Sequence, residues 1–126
     1  MGTISNLYKY SAATQGFVLW GSWAFYINSQ VSTLAGIKAG IVQGLFSFVS
    51  TLLVISILTK LYNHFKQPLL KLTLPTLLIV LTLSSILITA HTIANTPEII
   101  KTVTPSLIVA ILFCSFTTYK LTKQMP

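Results

Sequence analysis

AGIVQGLFSFVSTLLVISILT, residues 39–59, carries no charged side chain and is closed at each end by one, Lys38 and Lys60. At a helical rise of about 1.5 Å per residue, a run of that length reaches across a hydrocarbon layer roughly 30 Å thick. The same punctuation recurs along the chain. Eight lysines and a single acid, Glu98, leave further charge-free stretches at 10–37, 72–97 and 102–119. In lipid the backbone amides have no water to bond, so each stretch must satisfy them internally as a helix. The pattern predicts an all-α membrane protein: a four-transmembrane-helix bundle with spans near 11–28, 34–61, 72–94 and 105–121, and a short interfacial elbow between helices 3 and 4.

Composition points the same way. Of 126 residues, 53% are hydrophobic and only 7% charged, with a mean hydropathy of +0.80, against roughly 25% charged residues in soluble domains. The length suits one integral membrane domain, 1–126, and no Pro/Gly/Ser-rich or charge-rich stretch is long enough to be a linker. A net charge of +7 would suggest nucleic acid in a soluble chain, but there is no Arg and no basic cluster. The lysines read as membrane-edge residues, with membrane lipids as their partners and nucleic acid excluded. The first apolar stretch follows Lys9 as a secretory signal would, and Thr33-Leu34-Ala35 offers a cleavage site. Trp20, Trp23, Phe25 and Tyr26 are bulky for a signal core and suited to a membrane interface, so a retained anchor is expected.

Orientation follows from counting lysines in short loops, where a cytoplasmic excess is the rule. With four spans, Lys9, Lys60, Lys66, Lys71, Lys120 and Lys123 fall on one side, and Lys38 and Lys101 on the other. Both termini are then expected in the cytoplasm, and the membrane, if bacterial, is the inner one. The loop 60–71, with Lys60, His64, Lys66 and Lys71, would face anionic head groups. On the opposite side, Thr96-Pro97-Glu98 reads as a cap, a proline at N1 and an acid at the positive end of a helix dipole. Thr104-Pro105-Ser106 repeats the device, so the elbow reads as two capped helix starts in succession, the fourth span beginning at Pro105. Pro75 would sit in the first turns of the third span, where a missing N–H costs nothing.

Two sets of residues are candidates for function. Gly36, Gly40 and Gly44 stand four apart, continued by Ser47 and Thr51, with Gln43 alongside. Small residues at that period let helix backbones approach in a solvent that gives no hydrophobic drive to association, and Gln43 can hydrogen-bond across the contact. The stripe could face another helix of the chain, a second copy through helix 2, or a membrane-protein partner. The other set is His91, Glu98 and Lys101, which could converge on an outer polar site; ionisable groups near a span invite a functional reading. The plainer account is an interfacial histidine and an acid stabilising a helix start.

Enzyme chemistry fails on inspection. Two histidines on opposite sides of the membrane cannot share a metal, one carboxylate cannot form an acid/base pair, and Cys114 has no partner His at its depth. No GxxxxGK[ST] or GxGxxG is present, so no cofactor is expected. What remains is a non-catalytic small polytopic membrane protein, an accessory subunit or assembly partner of a membrane complex. The alternative is a small oligomeric translocator of a lipid-linked or hydrophobic substrate.

Overall fold

The computed structural model describes residues 6–124, so the ends of the expected 1–126 unit lie outside the described residues. Within them, four helices follow one another: α1 (Asn6–Ser29), α2 (Thr33–His64), α3 (Pro68–Ile93) and α4 (Ile99–Gln124). No strand is present among the described residues. Three of these helices, α2, α3 and α4, are long and apolar enough to cross a membrane. α1 is not one of them, so of the four expected spans three meet that standard. At 24 residues it has the length, but Ser11, Thr14, Gln15, Ser22 and Asn28 dilute its apolar character.

Every helix is longer than its expected span. α2 continues through Lys60 to His64 and α3 begins at Pro68, leaving only Phe65–Gln67 of the expected 60–71 loop outside a helix. The reason is that lysine is a good helix former, so a charge marks where water begins and not where the helix ends. Pro68 takes the first helical position, where its missing N–H is harmless. Pro75, expected near a helix start, therefore lies inside α3 and is buried. At the head of α2, the Ser32 hydroxyl accepts the Ala35 N–H at 3.1 Å, a true N-cap.

The elbow also differs from its expected form. α4 is one helix from Ile99 onward with Pro105 inside it, and the Thr104 hydroxyl donates back to the Ile100 carbonyl at 2.6 Å instead of capping a new start. A single proline near a helix start removes one N–H without stopping the helix, provided the freed carbonyl finds another donor. The turn before it is tightly built. Asn95 adopts φ 58°, the Asn95 N–H bonds the Thr92 carbonyl at 3.1 Å, and the Thr96 N–H bonds the His91 carbonyl at 2.9 Å. Those two bonds make a Schellman ending of α3, with Asn where Gly is more usual.

α1 and α2 are the closest pair, α3 packs on both α2 and α4, and α2 touches all three other helices. The α1–α2 contact is a meeting of backbones. A Cβ on Gly21 would come within 3.1 Å of the Gly40 carbonyl, one on Gly40 within 3.1 Å of the Gly21 carbonyl, and one on Gly36 within 2.9 Å of the Phe25 carbonyl. Gly44 lies against the Phe17 ring, and the Ser47 side chain is next to Gly16. The stripe at Gly36, Gly40, Gly44 and Ser47 is therefore covered by α1. A second chain at this face would have to displace α1, so any partner must use another surface. Near the opposite end of the bundle, Val54, Leu58, Ile79 and Cys114 form an apolar core.

Candidate functional site

The lysines divide the bundle into two ends. Lys9, Lys60, Lys66, Lys71, Lys120 and Lys123 lie towards the α2–α3 turn; Lys38 and Lys101 lie towards the α1–α2 and α3–α4 turns. At the six-lysine end the Tyr62 hydroxyl meets Thr122 Oγ1 at 2.9 Å, a single α2–α4 pair, whereas at the two-lysine end polar side chains converge in two sets.

His91 is the centre of the first. It is fully buried in the last turn of α3, where both ring nitrogens are bonded. Its Nε2 is 2.8 Å from Gln43 Oε1 and its Nδ1 is 2.7 Å from Thr96 Oγ1. Gln43 Nε2 donates onward to Ser106 Oγ at 3.1 Å, and Ser106 donates to the Val103 carbonyl at 2.9 Å. The direction of the chain is set by its chemistry. The Gln43 oxygen can only accept, so Nε2 carries the proton, Nδ1 is a bare acceptor, and the Thr96 hydroxyl donates to it. A neutral imidazole thus satisfies every atom in the line. One relay ties α2, α3 and α4 together, and the Schellman turn positions Thr96 to close it.

Asn28, at the end of α1, is the centre of the second set. Its Oδ1 accepts the Glu98 N–H at 3.0 Å, one of the free donors at the start of α4. Its Nδ2 donates to the Ala24 carbonyl at 2.8 Å and to Thr102 Oγ1 at 2.7 Å. An N-cap normally comes from the residue before the helix; here another helix supplies it. One turn away, Trp23 Nε1 donates to the Lys101 carbonyl at 3.0 Å. That carbonyl is the one Pro105 leaves without an i+4 partner, so the indole replaces the bond the proline removed.

The expected convergence of His91, Glu98 and Lys101 takes a different form. All three lie at one end of the bundle, but Glu98 and Lys101 contribute backbone atoms, and both His91 nitrogens are held by Gln43 and Thr96. Lys101 is exposed and Glu98 half-buried, so their charges stay near water while the histidine does not. Gln43, expected beside the glycine stripe, bridges to α3 and α4 instead of to α1. Sequence reasoning missed Asn28, Thr102 and Ser106, and read Trp23 only as an anchor. One signal was available: Pro105 inside a helix requires a donor for Lys101, and few residues near the α1 end could supply it.

Chemically, the arrangement fastens helices. Among the described residues the buried side-chain polar atom without a partner is Thr76 Oγ1 in α3. In α3, the hydroxyls of Thr82, Ser84, Ser85 and Thr89 bond carbonyls one turn back, at 2.6–2.8 Å. Among the described residues no three His, Cys, Asp or Glu side chains gather as a metal site would need. No protein-family model, curated protein or solved structure matches this chain.

Proposed function

We propose that this protein is a non-catalytic, four-span membrane protein acting as an accessory subunit or assembly partner of a membrane complex. The observation that supports it is the closed interior. The histidine buried at the two-lysine end of the bundle, His91, is bound by neutral partners on both sides, and the surrounding polar side chains link helix to helix. A carrier coupled to protons or ions places such groups along a path that opens. Here they act as fasteners, and the large remaining surface is apolar.

The fourth span in this reading is α1. Its middle is held against α2 by backbone contact at Gly21 and Gly40, and its end caps α4 through Asn28. If α2 crosses the bilayer, α1 crosses with it, and its modest polarity is offset by packing. On the six-to-two lysine division both termini lie in the cytoplasm in this reading, and the membrane, if bacterial, is the inner one. The partner is another membrane protein, and it docks on lipid-facing surfaces, since the glycine stripe is already covered.

The test is native purification from the source membrane in mild detergent, with mass spectrometry of proteins that co-purify at fixed stoichiometry. A constant larger partner is the expected result. A homogeneous homo-oligomer with bound lipid and no other protein would overturn the subunit reading in favour of a translocator.

A further inference from the structure

The α2–α3 hairpin is open on one side. Phe46, Val49, Leu53 and Ile57 from α2, with Leu78 and Ile86 from α3, border a groove of about 450 Å³. That volume is in the range of small-molecule sites, roughly 300–1,000 Å³. The groove offers no free hydrogen-bond donor. Its two hydroxyls are used internally, Ser50 on the Ser47 carbonyl at 3.3 Å and Thr82 on the Leu78 carbonyl at 2.8 Å. Only hydrocarbon fits such walls.

Its length and the charge at one end point to which hydrocarbon. From Phe46 to Leu61 the groove follows α2 for about 22 Å at 1.5 Å per residue, more than one leaflet's share of a roughly 30 Å hydrocarbon layer. It ends at the lysine-rich turn. Lys60 adjoins Leu61, and Lys66 lies in the connection. Lys71 precedes Leu78 by two helical turns on the same face of α3; its ammonium lies 4.4 Å from the Tyr62 ring centroid and donates to the Tyr62 carbonyl at 3.4 Å, which leaves two of its three N–H groups for an anion. An apolar slot about 22 Å long, running towards a turn that carries three lysines, complements a lipid with an acyl chain and an anionic head.

A transmembrane helix fits less well. Over the same length a cylinder 10–12 Å across would fill roughly 2,000 Å³, about four times the groove. The small residues that allow close helix approach are on the α1-facing side of α2, whereas Val49, Leu53 and Ile57 stand exposed here.

We propose that the α2–α3 groove is a binding site for one anionic phospholipid, an acyl chain lying in the slot and the phosphate held by Lys60, Lys66 and Lys71. The site is independent of the subunit reading, since it requires only that the hairpin span a membrane. The full chain, exchanged into detergent, would be titrated with phosphatidylglycerol and phosphatidylcholine of identical chains and read by native mass spectrometry. The wild type should retain one phosphatidylglycerol per chain with at least tenfold preference. The triple variant Lys60→Gln/Lys66→Gln/Lys71→Gln should bind both lipids equally, while Ile57→Trp, which fills the slot, should bind neither at unchanged helicity. Equal binding by the wild type, or preference that survives the triple variant, would overturn the proposal. So would a second copy in the groove, seen as efficient disulfide trapping in membranes of Leu53→Cys in a Cys114→Ala background.

Discussion

Replacing Gln43 by Leu, of similar volume, removes the amide that His91 and Ser106 share and opens little cavity, so the loss is polar. Hydrogen bonds between membrane helices average about 0.6 kcal/mol and reach about 1.7. A buried donor left without an acceptor costs about 1–3 kcal/mol. His91 is fully buried and its Nε2 has no other acceptor within reach of its 2.8 Å bond, so the orphan term dominates. Gln43→Leu should therefore destabilise the bundle by about 2 kcal/mol, and His91→Leu, which orphans the Gln43 carbonyl, by a similar amount. In the double variant the two orphans of the Gln43–His91 bond disappear together, and what remains is the loss of the outer bonds to Thr96 and Ser106. The double variant should lose about 2 kcal/mol against about 4 for independent sites, a coupling of about 2 kcal/mol. Reversible unfolding in mixed micelles, followed by circular dichroism, measures all four corners of the cycle. Additivity to within about 0.5 kcal/mol would refute the reasoning, because it would mean the two side chains do not act as a bonded pair.

Trp23→Phe should cost about 1 kcal/mol by leaving the Lys101 carbonyl unbonded, and Pro105→Ala, which restores the main-chain donor, should recover most of that loss in the same unfolding assay. Gly36→Ala should destabilise by about 1–3 kcal/mol, since its Cβ would meet the Phe25 carbonyl at 2.9 Å, whereas Gly16→Ala, with 3.4 Å to Thr51 Oγ1, should be nearly neutral. Asn95→Gly should leave stability within a few tenths of a kcal/mol, and Asn95→Val should lose about 1–2 kcal/mol, because φ 58° suits glycine and penalises a branched side chain. Asn28→Leu should speed amide exchange at the first turn of α4, around Glu98, more than in the middle of α3; equal effects at both would argue against the cap.

The architecture was legible where one physical term dominates. Charge is so costly in hydrocarbon that lysine spacing alone locates apolar helices, and α2, α3 and α4 follow from it. The helix ends were not legible from the same signal, because Lys60 and Lys71 leave hydrocarbon without breaking the helix. α1 was ambiguous for a related reason: its place rests on Gly21, Gly40 and Asn28 meeting distant backbone, which mean hydropathy does not register.

The sequence by itself determined the solvent, the all-helical class and the small-residue stripe of α2, since composition and period are local properties of the chain. The tertiary structure decided the rest. It placed α1 on the stripe, turned Gln43 towards His91 and Ser106, and put Trp23 beneath the carbonyl that Pro105 frees. The last two are bonds between residues from 48 to 78 positions apart. A hydrogen bond needs its partner within about 3 Å, and only the packed arrangement of helices brings such distant groups that close.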